Sequence, residues 1–300
     1  MPDSPTNDSP GLPTGERLLE LTEAMTGQPV LLVADLVADR YISGSPKRIS
    51  REAPVLILRY ESESWVLGGG ANAVANVRAL GGEPLPLGIL GDDEAGQKLR
   101  EGFDRIGVTT EGLLTQQGFA TPTKTRLMAG DQGSVKQQVA RFDVESRATF
   151  GDAELAAFRD RLERWSGRAS MAVLSDYGYG SVAAELVDDV RRALTDPGHV
   201  VCDSRYRLQS FTDLDGATPN QEEAEALTGT PIGDDPARLA ACGRWLLDHL
   251  QAHFVLVTRG SLGMALFEST TLTEIPVHGT RQVADVTGAG DTVIGTLALA

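Results

Sequence analysis

The sequence is poor in cysteine and in positive charge, and it carries neither of the two most familiar nucleotide-binding signatures. Its two cysteines, Cys202 and Cys242, are far apart and match no metal spacing. That argues against a disulfide framework and suits a reducing cytoplasm. Lysine and arginine total 27 against 42 aspartates and glutamates, for a net charge of −15 and a pI near 4.7. A field of that sign disfavours binding to nucleic acid backbones or anionic membranes, so an anionic small molecule needs a local cluster of basic residues. Met1 to Gly15 has no apolar stretch and no positive leader, and reads as a disordered tail rather than a signal peptide or membrane segment. No Gly-x-x-x-x-Gly-Lys-[Ser/Thr] loop occurs, and the third glycine of a dinucleotide fingerprint is replaced by Val293. His249 and His253 sit four apart with no third ligand nearby, and read as surface or capping residues. Trp65, Trp165 and Trp245 read as packing residues, with no interleaved basic pattern for nucleic acid.

What is present is an alternation of short apolar runs and helix-length amphipathic segments over 300 residues, enough for one large α/β core. Val30 to Ala34, Met171 to Leu174, Val200 to Cys202 and Phe254 to Val257 read as buried strands. Helices are expected at Ala71 to Leu80, Asp93 to Arg105, Asp152 to Trp165, Val182 to Leu194, Glu222 to Leu227 and Pro236 to Leu250. The pattern predicts a mostly parallel sheet covered by helices on both faces, with ligands beyond the carboxyl ends of its strands. Polar residues fall there: Asp35 and Asp39, Ser175-Asp176, Asp203, and Thr258-Arg259-Gly260. Two stretches, Val55 to Trp65 and Lys124 to Phe142, alternate without helical partners, and Gly130-Asp131-Gln132-Gly133 suggests a hairpin in the second. They read either as edge strands or as a small sheet that closes over a cleft.

The most informative stretch is Asp285-Val286-Thr287-Gly288-Ala289-Gly290-Asp291-Thr292, which opens the apolar run Val293 to Ala300. A Gly-Ala-Gly turn that starts a helix gathers backbone N–H groups at one point, where the helix dipole adds positive potential. Asp291 would place a carboxylate beside phosphate oxygens, as phosphoryl transfer to a hydroxyl requires. On these eight residues alone the same pattern also describes a glycine turn with Asp as an ordinary cap.

Two further motifs decide between these readings. Gly68-Gly69-Gly70-Ala71-Asn72 with Asn76, Thr218-Pro219-Asn220-Gln221-Glu222-Glu223 and the segment Asp285 to Thr292 occur in this order. Jointly they resemble the signatures of the PfkB, or ribokinase-like, carbohydrate kinases along nearly all of Val30 to Ala300. Asp35-Leu36-Val37-Ala38-Asp39-Arg40-Tyr41, Arg48-Ile49-Ser50-Arg51-Glu52-Ala53-Pro54-Val55 and Ser175-Asp176-Tyr177 resemble the heptose 7-phosphate 1-kinase branch, the kinase half of the bifunctional enzymes of ADP-heptose synthesis. The resemblance implies a ribokinase-like α/β fold: a tail and leading helix over 1–28, then a kinase domain over 29–300 with lid segments at about 41–67 and 120–143. It also implies helices beyond Ala300 that close the adenine pocket, so the C-terminal end of the domain is expected to be missing here. No His-x-x-His-type nucleotidyltransferase signature appears.

The resemblance further implies an ATP-dependent kinase with magnesium, and in some relatives a monovalent cation such as K+. Asp291 would be the base, held in its ionised form by the helix N-terminus, and the N–H groups of Gly288, Ala289 and Gly290 would stabilise the transferring phosphoryl group. Asn220 and Glu223 would organise magnesium through its waters, and Thr258 and Gly260 would meet the nucleotide. Asp285 and Thr287 are candidates for the monovalent cation. Asp39, Gly68, Gly69 and Asn72 would contact sugar hydroxyls, with Asp176 beside them. Arg48, Lys124, Arg126 and Arg205 would bind the sugar's own phosphate. Locally, each of these also has a plainer reading as a helix start, a tight turn or a solvated charge. The chain departs from the branch where Tyr179 stands in place of a lysine and where Asp203-Ser204-Arg205 stands for Asp-Pro-Lys. Those changes bear on the acceptor more than on kinase chemistry, leaving open another sugar, sugar phosphate or nucleoside, or a silent binding relative. A homodimer formed through the lid is the expected assembly, with no nucleic acid or membrane partner.

Overall fold

The computed structural model describes residues 14–130, 135–278 and 287–300. In chain order the strands are β1 (Pro29–Ala34), β2 (Leu36–Ile49), β3 (Leu56–Gly69), β4 (Glu83–Gly91), β5 (Leu113–Gln116), β6 (Thr123–Ala129), β7 (Gln137–Val144), β8 (Met171–Asp176), β9 (His199–Ser204), β10 (Gly216–Ala217), β11 (Phe254–Thr258), β12 (Met264–Glu268) and β13 (Leu272–Ile275). The helices are α1 (Gly15–Ala24), α2 (Gly70–Ala79), α3 (Glu94–Arg105), α4 (Asp152–Arg164), α5 (Val187–Ala193), α6 (Gln221–Thr228), α7 (Pro236–Leu250) and α8 (Ala289–Leu297). Among the described residues the main sheet runs β13-β12-β11-β10-β9-β8-β1-β4-β5, and a second sheet runs β3-β2-β6-β7. The main sheet is parallel from β5 to β11 and ends in an antiparallel hairpin, β12 and β13.

Burial explains why β1 reads as an unbroken apolar run. Leu31 and Val33 join one core with Phe158 of α4, Val190 of α5 and Leu246 of α7, while Val30, Leu32 and Ala34 join another with Val74 of α2, Phe103 of α3 and Ile294 of α8. Both faces are therefore dry, as a parallel sheet with helices on each side requires. Among the described residues no helix is long and apolar enough to cross a membrane.

Two strands differ from the sequence reading for identifiable reasons. β4 contains Pro84 and Pro86, which argue against a central strand. It pairs with β1 over Glu83 to Leu87 but meets β5 only from Gly88, so the prolines lie where one edge of the strand is open. β2 begins one residue after β1 and carries Gly44, Pro46, Lys47 and Arg48, so its pattern is broken; register shifts at Ser43/Gly44 and Pro46/Arg48 absorb the glycine and the proline. β2 pairs antiparallel with β3 and parallel with β6, and β6 pairs antiparallel with β7. The second sheet is thus larger than the two expected stretches. Of the expected hairpin turn, Asp131, Gln132 and Gly133 lie outside the described residues. The helix expected from Val182 is shorter, a turn of 3₁₀ helix at Ala184–Leu186 followed by α5.

Candidate active site

The carboxyl ends of β1, β8, β9, β10 and β11 share one edge of the sheet, and the N-termini of α2 and α8 meet there. The two helices pack closely: a Cβ at Gly295 would lie 3.3 Å from the Asn76 Cβ, and the Thr292 hydroxyl donates to Asn76 Oδ1 at 3.0 Å. α8 starts after Gly288, whose φ of +77° is left-handed and whose added Cβ would stand 2.4 Å from the Asn72 amide nitrogen. Both facts require glycine. Ala289 and Gly290 form the exposed first turn of α8, where helix geometry leaves N–H groups without intrahelical acceptors.

Asp291 lies just beneath this turn, 3% exposed, yet its surroundings are polar. Asn72 Nδ2 donates to Oδ2 at 2.8 Å and the Tyr177 hydroxyl donates to Oδ1 at 2.8 Å. Burial raises its pKa, and the two donors and Lys124 oppose that rise. This corrects the expectation that the helix N-terminus would set the direction: desolvation is the larger effect. Tyr177 is itself pushed far above its usual value by burial and by Asp291, so it remains a neutral donor.

Tyr177 is delivered by a tightly held loop. Its backbone N–H and that of Tyr179 donate to Asp35 Oδ2 at 2.9 and 2.8 Å, and Ser181 N–H donates to Asp35 Oδ1 at 2.7 Å. Asp35 is fully buried and its pKa is pushed up to about 6, by desolvation first and by nearby Asp176 second.

Asp39, on β2, is buried and accepts from Arg126 Nη1 at 2.6 Å. Gly68 lies across the ladder, and a Cβ there would meet Asp39 Oδ2 at 2.5 Å. Gly69, with φ of +51°, backs onto Val37 and the Tyr177 ring. Lys124 Nζ sits 5.5 Å over that ring, and burial holds its pKa below the ordinary lysine range. Arg205 is exposed and interacts electrostatically with Lys124, Tyr177 and Glu223. Lys124, Arg126 and Arg205 therefore converge on Asp39 and Tyr177, but Arg126 is already neutralised by Asp39. Among the described residues neither Lys124 nor Arg205 forms a salt bridge.

Asn220 and Glu223 form the capping box of α6: Asn220 Oδ1 accepts from Glu223 N–H at 2.9 Å, and Glu223 Oε2 accepts from Asn220 N–H at 2.9 Å. Asn220 bridges to Thr258 at the end of β11, next to the exposed Gly260 with φ of +53°. Asp203, at the end of β9, lies 3.7 Å from where a Cβ on Gly290 would be, and its pKa is pushed up to about 8 by desolvation, then by Glu223 and Asp291. Among the described residues no group of three or more His, Cys, Asp or Glu side chains is set to hold a metal ion.

Three expectations are corrected or fall outside this arrangement. Asp176 is engaged inside the protein: it pairs with Arg207, and its Oδ2 accepts from the Ser204 hydroxyl at 2.6 Å. It is 1% exposed and serves as an internal brace rather than a sugar contact. Arg48 is exposed and pairs opposite Ile57, nine residues beyond Asp39 on β2, about 30 Å away at strand rise. Asp285 lies outside the described residues, and Thr287 is exposed in the turn before Gly288. In the other direction, Tyr177 entered only as part of the Ser175-Asp176-Tyr177 element and Asp203 only as a polar residue after a strand and in the Asp203-Ser204-Arg205 departure; nothing local marked their approach to Asp291.

The raised pKa of Asp203 has a stability consequence. The folded protein holds a proton there that the unfolded chain releases between pH about 4 and about 8, so this residue's contribution to stability is present at low pH and declines as pH rises through that window. Asp203→Asn is expected to flatten the pH dependence of the melting temperature and to gain most over wild type near pH 8. Equal gains at pH 5 and pH 8 would contradict the desolvated, repelled carboxylate.

A family profile described as pfkB family carbohydrate kinase matches residues 35–300. The chain is 37% identical over 288 residues to the "Bifunctional protein HldE" of Paramagnetospirillum magneticum, covering 94% of this chain and 57% of that protein. It is 39% identical over 278 residues to the protein of the same name from Methylococcus capsulatus, covering 90% and 55%. The chain thus spans a little over half the length of these relatives. Among solved structures, phosphofructokinase-2 from Escherichia coli in complex with fructose-6-phosphate superposes with a TM-score of 0.69 at 18% identity, covering 91% of this chain and 87% of that one. Arabidopsis thaliana ribokinase complexed with ribose and ATP superposes with a TM-score of 0.67 at 22% identity, covering 91% and 86%. These likenesses show a ribokinase-like fold.

Proposed function

The chain belongs to the pfkB family of carbohydrate kinases, and from that premise we propose that it transfers the γ-phosphoryl group of ATP to the C1 hydroxyl of a heptose 7-phosphate. The observation that carries the reading is Asp291 at the first turn of α8, beside the Gly288 to Gly290 turn, of which Ala289 and Gly290 are exposed, and facing Lys124. Asp291 accepts the hydroxyl proton as the sugar oxygen attacks phosphorus, and the first-turn N–H groups of α8 stabilise the charge on the transferring group. Asp39, with Gly68 allowing close approach, orients the sugar, and Lys124 and Arg205 supply the positive charge that a phosphorylated acceptor needs in an acidic protein.

Glu223 adds to the desolvation that raises the pKa of Asp203, and desolvation raises that of Glu223, which fits a hydrated magnesium ion held near them and Asn220. When bound, the ion offsets phosphate charge. The sugar assignment rests on the resemblance of residues 35–41 and 48–55 to the heptose 7-phosphate 1-kinase branch, with which the likeness to the bifunctional HldE proteins agrees, and heptose 1,7-bisphosphate is the product that follows from it. Exposed Tyr60, Val66, Phe142 and Val144 on the second sheet support a second copy of the chain as the occupant of that surface.

A second reading, a different acceptor, is favoured by Tyr179 standing where a lysine was expected and by the closure of Arg126 onto Asp39. A panel of heptose 7-phosphate, other sugar phosphates, free sugars and nucleosides, scored by ADP release, separates the two. The highest kcat/KM is expected on heptose 7-phosphate. A higher value on an unphosphorylated sugar or a nucleoside would replace it with the second reading.

A further inference from the structure

We infer that Tyr177 is a positioning residue for Asp291: its hydroxyl aims the carboxylate and keeps it in the proton-accepting form. This rests on the reading of Asp291 as the base. The hydroxyl donates to Oδ1 at 2.8 Å while Asn72 holds Oδ2 at 2.8 Å, so the carboxylate plane is fixed from two sides by groups on different elements. A donor to each oxygen favours the charged form, which a buried carboxylate otherwise resists. The phenol is suited to this task because it stays neutral and cannot take the proton itself.

Its ring is clamped. Lys124 lies over one face, and Gly69 backs onto the ring, where an added Cβ would be in ordinary van der Waals contact with Cε2 at 3.4 Å. Its backbone N–H is anchored to Asp35 together with those of Tyr179 and Ser181. Three N–H groups converging on one buried carboxylate fix the loop, and the loop fixes the hydroxyl. Asp35 therefore acts on Asp291 at second hand, through Tyr177.

The charged and titratable groups around Asp291 are Tyr177 from the loop after β8, Asp39 from β2, Lys124 from β6, and Asp203 at the end of β9 with Glu223 of α6 and Arg205 behind it. Tyr177→Phe removes the phenolic oxygen and leaves the other groups in place.

The test is the pH profile of kcat for wild type, Tyr177→Phe, and a protein carrying 3,5-difluorotyrosine at position 177. The phenylalanine variant is expected to move the acid limb up by about one pH unit, which is about a tenfold loss below the limb, with recovery at alkaline pH. KM for both substrates should stay within about twofold. The fluorinated residue, a stronger donor of the same shape, should leave the limb unmoved or lower it. An unmoved limb in Tyr177→Phe overturns the inference; so does a fluorinated protein that shifts the limb upward. Asp291→Asn run alongside keeps the two ideas separate. If that variant is fully active, the base itself is misassigned; if it is inactive while Tyr177→Phe has the wild-type profile, only the role of Tyr177 is lost.

Discussion

Asp291→Asn is expected to reduce kcat by roughly 10²–10⁴-fold, the usual contribution of a positioned general base, while leaving nucleotide binding intact. The substitution is nearly isosteric, and the site can receive it. The asparagine carbonyl takes over the hydrogen bond from Asn72 Nδ2, and the new amide donates to the Tyr177 oxygen, which can turn from donor to acceptor. Burial of an ionisable group is removed at the same time, so the variant should be at least as stable as wild type. Steady-state kinetics with isothermal titration of ATP tests both halves. Loss of activity accompanied by loss of nucleotide binding would point to a damaged site rather than a missing base.

Arg207→Ala is expected to cost about 3–5 kcal/mol of stability, because it leaves the Asp176 carboxylate buried without its countercharge. Arg207 Nη2 reaches Asp176 Oδ1 and also donates to Val182 O at 2.9 Å, so one side chain ties the end of β8 to the segment leading into α5. The Ser204 hydroxyl and the Gly178 N–H remain as neutral donors to Asp176, which are insufficient for a charge this deeply placed. Asp176 also pushes up the pKa of Asp35, so the unpaired charge bears on the carboxylate that anchors the Tyr177 loop. Urea denaturation measures the effect, and the double variant with Asp176→Asn should recover much of it. A cost below about 1 kcal/mol for Arg207→Ala would contradict the view that this ion pair holds Asp176 in place.

Both effects concern contacts that the sequence does not display. Asp291 and Tyr177 are 114 residues apart, and Asn72 and Asp291 are 219 apart; only the sheet order brings the ends of β1 and β8 beside α2 and α8. The glycine turn at Gly288 to Gly290 was legible because a left-handed helix start demands glycine, whatever the tertiary setting. The strands β1, β8, β9 and β11 were legible because both faces of the sheet are dry and their apolar runs are unbroken. β4 was not, and β2 entered only through the lid segment that the resemblance implied, since prolines and charges sit where an open edge or a bulge tolerates them. Asp176 looked like a ligand because it follows a strand at the binding edge. Its partner Arg207 lies beyond β9, 31 residues away. Arg48 was chosen for its charge, and only the length of β2 shows how far it stands from Asp39.

The most direct measurement is ³¹P NMR of the product formed from ATP and a heptose 7-phosphate by the wild-type protein, with Asp291→Asn as the control. The account expects a new anomeric phosphate resonance, coupled to the proton on C1 and appearing in step with ADP, in the wild type alone. ADP formed with no new sugar phosphate, a phosphate attached at another carbon, or the same product from Asp291→Asn would contradict it.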